Sequence, residues 1–310
     1  MKKLNILIIG GTGFIGRTLS RALIDAGYTV VVISRSPSLN SSLMHGVHSV
    51  QVDVLIPGQW QELIPDFDAL INLAGVSIFQ RWTAHGKQEI LNSRIIAVSN
   101  IIDALRMRRG KTHQLLSVSG VGYYGFRGDE ILDEDNPPGS DFLAQVAAQW
   151  EEKVEQVKEL GIRAVIFRLG HVLGNHGGVL PKLVTLAKLH LASHWGSGEQ
   201  WISWIHEDDL ARCVIFLLEN QIIKSPVNVT SPNPIRNREM MRLLAEMTGK
   251  RVYIPPVPEF MLRLVTGEFA SVLVKGQRVV PRKLMYQGFD FRYHDLRGAL
   301  DMLLLHPDPT

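Results

Sequence analysis

The sequence predicts an α/β protein, a doubly wound parallel sheet with a smaller C-terminal lobe. Three observations predict it. Short β-branched runs alternate with stretches of helical periodicity through the first half of the chain. A glycine-rich loop joins the first such run to the first helical stretch. Beyond residue 225 prolines gather, at positions 226, 232, 234, 255, 256, 258 and 281, and strand-like runs become too few for a second large sheet.

Leu4–Ile9 is apolar and stops at Gly10, which reads as a buried strand. Ile15, Leu19, Ala22, Leu23 and Ala26 recur at helical spacing over Phe14–Ala26, and Gly27 is the helix stop. Tyr28–Ile33 is the second strand. Further strands are predicted at Ser49–Val52, Ala69–Asn72, Gln114–Ser117 and Ala164–Leu169, with helices over Lys87–Arg108 and Phe142–Leu160. Asp208 and Asp209 open another apolar helical run, so one of them is expected to be its N-terminal cap. Val227–Thr230 reads as one more strand of the main sheet, and Arg238–Thr248 as a helix ending at Gly249. The expected division is a dinucleotide-binding unit over 1–175 with a return strand near 201–230, and a smaller substrate-side lobe from 176–200 and 231–310.

Composition narrows the function classes. Hydrophobic residues make 45% of the 310 and charged residues 20%, an ordinary globular balance. Lys plus Arg is 33 and Asp plus Glu 30, and the resulting +3 is too weak to imply a nucleic-acid partner. The lone Cys213 excludes an intrachain disulfide and a cysteine-type zinc site, and fits a reducing, cytoplasmic setting. No apolar run reaches the length of a membrane span, and Met1-Lys2-Lys3 is followed by too short an apolar stretch for a signal peptide. Eleven histidines include no His-Glu-x-x-His pair and no cluster at ligand spacing, so no metal is expected.

The loop Gly10-Gly11-Thr12-Gly13-Phe14-Ile15-Gly16 carries the first functional signal. Gly10 allows a sharp turn, Gly13 lets a pyrophosphate approach the backbone, and Gly16 lets the helix pack close to the sheet. The helix start then offers unpaired N–H groups and a positive dipole end to the phosphates. Sites for NAD usually place Asp or Glu at the end of the second strand. Here that end reads Ile33-Ser34-Arg35-Ser36, and the permanently charged fork of Arg35 suits a 2′-phosphate. The expected cofactor is therefore NADP(H).

With Asn72-Leu73-Ala74-Gly75 after the fourth strand, these features resemble the extended short-chain dehydrogenases/reductases, and so imply the Rossmann form of the fold. The runs Ser117–Gly125 (SVSGVGYYG), Arg168–Gly174 (RLGHVLG), Gly198–His206 (GEQWISWIH) and Gln277–Pro281 (QRVVP) narrow the resemblance. Together they are similar to the atypical subgroup called epimerase family proteins, regarded as nucleoside-diphosphate-sugar epimerases. The resemblance covers nearly the whole chain, including a segment from about Val252 that has no assigned role in that subgroup. It implies Asp53 near the adenine, Leu73, Ala74 and Gly75 along the adenosine and ribose, and Leu169, Gly170 and His171 approaching the nicotinamide. Plain core for Leu73 and Ala74, and a helix or turn cap for Asp53, are the alternative readings. The implied partner is a small molecule, a nucleotide sugar or a carbonyl compound, bound by a monomer or homodimer. Lys182, Arg278 and Arg282 are candidate diphosphate contacts by the resemblance, with an ordinary solvated surface role as the alternative for each.

Family members normally use Tyr-x-x-x-Lys, the tyrosine lying roughly two dozen residues after the catalytic Ser or Thr. Counting from Ser119 lands on Phe142 and Val146, neither of which exchanges a proton. Lys153 is eleven residues past Phe142, too far to be the partner lysine. Two readings stay open. One is an enzyme with a rearranged proton donor, built on Ser119 with Tyr123 or Tyr124 and with His171 as a further acid or base. The other is a protein that binds NADPH without turnover, as a sensor or partner-binding module. Trp195, Trp201 and Trp204, beside Gly196 and Gly198, are either an aromatic wall over a flat ligand or core between the lobes.

Overall fold

The computed structural model describes residues 3–35, 47–107, 110–223, 225–250 and 255–305. The expected helix end Arg108 and segment start Val252 lie outside these residues. The first half runs β1 (Asn5–Ile9), α1 (Phe14–Asp25), β2 (Thr29–Ser34), β3 (His48–Gln51), β4 (Ala69–Asn72), α2 (Ala84–Met107) and β5 (Gln114–Gly120). It continues through β6 (Ile131–Leu132), α3 (Phe142–Glu155), β7 (Arg163–Leu169) and β8 (His171–Leu173). The second half holds α4 (Leu180–Lys188), β9 (Trp201–Ile202), β10 (Trp204–His206), α5 (Glu207–Glu219), β11 (Val227–Val229), β12 (Ile235–Arg236) and α6 (Asn237–Met247). Then come α7 (Glu259–Thr266), α8 (Ala270–Val274), β13 (Arg278–Val279), α9 (Arg282–Tyr286) and α10 (Leu296–Leu305).

The main sheet is wholly parallel, in the order β11-β7-β5-β4-β1-β2-β3. Strand order reverses between β1 and β4, so a crevice opens at their C-terminal ends, where such sheets bind ligands. Alternation along β1 feeds two cores. Ile6 and Ile8 join the core under α1 and α5, whereas Leu7 and Ile9 join the one under α2 and α3. Each such fully buried side chain contributes about 1.5–3 kcal/mol. A third core joins α4, α6 and α10 around Trp204 and Leu173.

Several expectations are adjusted. β5 continues three residues past Ser117, because Ser117 to Gly120 stay in register with Ile166 to Leu169 of β7. α3 tightens into a 3-10 turn over Gln156–Leu160 before the left-handed Gly161. Neither Asp208 nor Asp209 caps α5. The cap is His206, whose Nδ1 accepts from the Asp208 N–H at 3.0 Å. Asp209 is instead buried and accepts the backbone N–H groups of Arg292 and Tyr293. It thereby ties the C-terminal segment to α5. Among the tryptophans, Trp204 is fully buried core, while Trp201 is half-buried between Arg236 and Arg278, at 3.9 and 4.5 Å.

Candidate functional site

The phosphate loop lies at the crevice. Gly10 has φ +81, and a Cβ there would lie 3.1 Å from the Ala74 nitrogen, so a side chain is excluded twice over. A Cβ on Gly13 would meet nothing within 4 Å, which leaves the approach to the loop open. Gly16 differs from expectation in its reason. A Cβ there would lie 2.3 Å from the Gly11 oxygen, so this glycine lets the first helical turn close onto the loop itself rather than onto the sheet. α1 has no side-chain cap and no acidic residue in its first turn. Its first N–H groups are therefore free for an anion.

A cleft of about 250 Å³ opens beside the loop. Gly10, Thr12, Gly13, Arg35, Asp53, Leu73, Ala74 and Gly75 all line it. Thr12 and Ser34 share a hydroxyl hydrogen bond of 2.6 Å across the loop and the end of β2. Arg35 is exposed, and its guanidinium has no partner among the described residues. Asp53 Oδ1 accepts from the Leu55 N–H at 3.0 Å, which holds its turn. Asn72, which the motif Asn72–Gly75 includes without a role, fixes the opposite wall. Its Oδ1 accepts from the Ala74 N–H and its Nδ2 donates to Ser117 Oγ.

The remaining loop residues face elsewhere. Phe14 lies under the stretch 174–178, where a Cβ on Gly177 would come within 2.4 Å of the ring. Glu207 braces that stretch by accepting from the Asn175 N–H and Thr18 Oγ1. Burial pushes its carboxyl above the usual range. Ile15 packs against the core under α1. Leu169 is buried core, and a Cβ on Gly170 would lie 2.6 Å from the Ser203 oxygen. His171 pairs with Trp204 in register. The residue is half-buried, and burial pushes its pKa down.

Near the ends of β5 and β7 a buried polar network forms. Ser119 Oγ donates to Glu151 Oε1 at 2.7 Å. Arg168 Nε and Nη2 grip the two oxygens of Glu151 at 2.9 and 2.7 Å. Arg168 Nη1 donates to the Tyr124 hydroxyl at 2.9 Å, which donates to Asn228 Oδ1 at 2.7 Å. Tyr124 is fully buried, and burial pushes its phenol well above the usual range. Burial works against the Arg168 charge, but the hydrogen bonds and attraction of Glu151 outweigh it and hold the guanidinium charged. Tyr123 is half-buried, with its ring centroid 3.4 Å from the Arg168 guanidinium carbon. Its hydroxyl has no partner among the described residues. Glu151 carried one sequence signal: it occupies the stripe of Ala144, Ala147 and Val154, the buried face of α3.

Phe142 opens α3, capped by Asp141, and meets Trp82 edge-on with centroids 5.0 Å apart. Val146 joins the same apolar cluster with Ile90 and Phe269. Around Phe142 a second cavity of about 410 Å³ is lined by Trp82, Lys87, Phe126, Arg263 and Ser271. Its roof is therefore part of the C-terminal segment. Lys87 and Glu268 form an ion pair across its rim. A larger, open hollow of about 570 Å³ lies between α6 and α10 around the Arg297–Glu246 pair, apart from the sheet crevice. Arg282 is held by Asp133 and Asp135, and Lys182 is exposed on α4. Among the described residues no group of three or more His, Cys, Asp or Glu could hold a metal ion. No helix among them is long and apolar enough to cross a membrane.

Comparison with known proteins matches this geometry to a family. Residues 6–230 match the model described as NAD dependent epimerase/dehydratase family. Residues 257–303 match a domain of unknown function, DUF1731. The chain is 37% identical over 303 residues to the epimerase family protein YfhF of Bacillus subtilis, covering 97% of this chain and 98% of that one. Among solved structures it is similar to the human epimerase family protein SDR39U1 (isoform 2) with NADPH. There the TM-score is 0.83 at 29% identity, over 97% of this chain and 99% of that one. It is also similar to the nucleoside-diphosphate sugar epimerase from Corynebacterium glutamicum, with a TM-score of 0.78 at 29% identity. That match covers 98% of this chain and 58% of the other.

Proposed function

Because this chain belongs to the NAD-dependent epimerase/dehydratase family, we propose that it binds NADP(H) in the sheet crevice and carries out epimerase/dehydratase-like or reductase-like chemistry on a nucleotide sugar or carbonyl compound. The observation that carries the cofactor choice is Arg35. A guanidinium without a partner among the described residues stands at the end of β2, on the wall of the cleft, where a carboxylate would serve NAD. The human relative solved with NADPH supports the same choice. Gly10, Thr12 and Gly13, with the N–H groups of Phe14, Ile15 and Gly16, would hold the pyrophosphate. Asp53 would lie by the adenine, and Leu73 to Gly75 along the ribose. Leu169, Gly170 and His171 would close the nicotinamide end. In this division 1–175 with β11 holds the cofactor, and 176–200 with 231–310 forms the substrate side.

When bound, the nicotinamide supplies a hydride donor or acceptor. The chain must then move a proton at the substrate oxygen. Tyr123 is the phenol available for this, since its hydroxyl is uncommitted and its ring lies against the Arg168 cation. Tyr124 and Ser119 act with it through the buried network, as positioning groups. The cavity at Phe142 suits the substrate, and the nucleoside-diphosphate sugar epimerase relative supports that class.

A second reading, NADPH binding without turnover, is favoured by Phe142 and Val146. By the count from Ser119 they stand at the family's tyrosine and lysine positions, and both belong to an apolar cluster. Titration with NADPH and NADH, followed by a screen of nucleotide sugars and carbonyl compounds for cofactor oxidation, separates the readings. Tighter NADPH binding with turnover supports the first, and tight binding with no turnover supports the second. Preference for NADH overturns the cofactor assignment.

A further inference from the structure

The cavity at Phe142 has a wall of rings. Phe126 and Phe142 line it half-buried, and Trp82 joins them, edge-on to Phe142 at 5.0 Å and to Phe269 at 5.6 Å. Phe269 in turn meets Phe79 at 5.7 Å. The C-terminal segment supplies the other side through Arg263, Gly267, Glu268 and Ser271. The volume of about 410 Å³ falls among small-molecule sites, which span about 300–1,000 Å³. The cavity adjoins the Tyr123–Tyr124 turn. A Cβ on Gly122 would lie 3.3 Å from Leu143 Cβ, and one on Gly125 would lie 2.9 Å from Asp141 Oδ2.

The polar groups of this wall already have partners. The Trp82 indole N–H donates to the Ile78 oxygen at 3.0 Å. Lys87 is paired with Glu268, and Arg263 with Glu259 at 2.8 Å. Asp141 Oδ1 accepts from the Ala144 N–H at 3.1 Å, and Ser271 Oγ donates to the Glu268 backbone oxygen at 2.8 Å. Lys87 and Arg263 on the wall are balanced by Asp141 and Glu268, so it offers no net charge to an anion. A sugar ring brought here would bury hydroxyls against rings and against groups committed elsewhere, and burying a hydroxyl unpaired is costly. A flat, neutral ring meets the same wall edge-on or offset at no such cost.

We propose that this cavity is an aromatic-ring pocket, and that the compound it takes is an aromatic aldehyde or ketone rather than a nucleotide sugar. The inference rests on the reductase-like reading above and chooses between its two substrate classes. With the ring against Phe126 and Phe142, the carbonyl end faces the tyrosine turn. The carbonyl carbon takes the hydride that the bound nicotinamide supplies, and the carbonyl oxygen takes a proton from Tyr123, which recovers one from water. The products are an alcohol and the oxidised cofactor. The C-terminal segment, which matches a domain of unknown function, thereby closes the ring pocket.

The test measures binding of 2-naphthaldehyde and UDP-glucose by calorimetry with NADP⁺ present, and NADPH oxidation separately. It compares wild type, Phe126→Leu and Phe142→Leu, with melting of each as control. 2-Naphthaldehyde should bind wild type and oxidise NADPH, and UDP-glucose should not displace it. Each leucine variant should weaken the aldehyde about two- to tenfold. If neither variant folds, the competition in wild type carries the test. Displacement of the aldehyde by UDP-glucose, no binding of the aldehyde, or folded variants that bind it as wild type does overturns the proposal and leaves the epimerase-like reading standing. Aldehyde binding that falls in the variants, with no NADPH oxidation, upholds the pocket and overturns the reductase-like reading.

Discussion

The Ser119 hydroxyl donates a hydrogen bond to Glu151 Oε1, 32 residues away, across 2.7 Å inside the protein. Because that proton is committed, the Ser119 oxygen presents only lone pairs to anything else it meets. The same carboxylate is held by both arms of Arg168, so β5, β7 and α3 meet at one ion pair.

Removing Glu151 should therefore cost far more than removing an exposed carboxylate. Glu151→Ala leaves the Arg168 charge buried and unpaired, which costs about 3–5 kcal/mol. Glu151→Gln keeps an acceptor and should lose less. Chemical denaturation measures both. A loss below about 1 kcal/mol for the alanine variant would mean that solvent reaches Arg168 and the pair does not hold the strands.

How much of this was legible in the sequence follows from distance along the chain. The phosphate loop could be read because its glycines, strand and helix are neighbours in sequence. Arg35 could be read because the end of a strand is a local feature. The Ser119–Glu151–Arg168–Tyr124 network could not, since its members come from four elements and no local spacing relates them. His206 was missed as the cap of α5 because aspartate is the better cap in isolation. Asp209 is drawn inward by two N–H groups 83 and 84 residues away. β5 runs three residues past Ser117 because its pairing partner in β7 keeps Val118-Ser119-Gly120 extended, a pairing that no local pattern shows.

Arg35→Ala should weaken NADPH by about 1.5–3 kcal/mol, roughly ten- to a hundredfold, and NADH hardly at all. The difference arises because only NADPH brings the 2′-phosphate. Isothermal titration of both cofactors checks it. Equal weakening would place the guanidinium on a group that the two share.

Gly13→Ala tests the open approach to the loop. Its φ of −70 suits alanine, and the added methyl meets no protein atom. The melting temperature of the free protein should stay put while NADPH affinity falls sharply. Unchanged affinity would move the dinucleotide away from this loop.

His171 gives a pH signature. Burial lowers its pKa in the folded state, so the unfolded chain binds the extra proton first as pH falls. Stability is therefore full above about 6.5 and declines as pH drops through that value. His171→Gln removes this contribution, and its unfolding free energy should fall less than that of wild type between about pH 7 and pH 5. Parallel curves would show that the imidazole reaches water in the folded state.

The two tyrosines should separate cleanly. The Tyr124 hydroxyl joins Arg168 to Asn228 and is fully buried. Tyr124→Phe leaves Arg168 Nη1 and Asn228 Oδ1 short of a partner, so stability should drop by about 1–3 kcal/mol. Tyr123→Phe removes a hydroxyl with no partner among the described residues, so the melting temperature should change little. If Tyr123 moves the proton, turnover of any substrate found should fall on the order of 10²–10⁴ with cofactor affinity kept. Cofactor oxidation with each variant, beside its melting curve, reads both effects. The opposite pattern, turnover lost with Tyr124→Phe at unchanged stability, would require the buried phenol to reach the cleft and would remove Tyr123 from the chemistry. Turnover surviving both substitutions would take the proton through neither phenol.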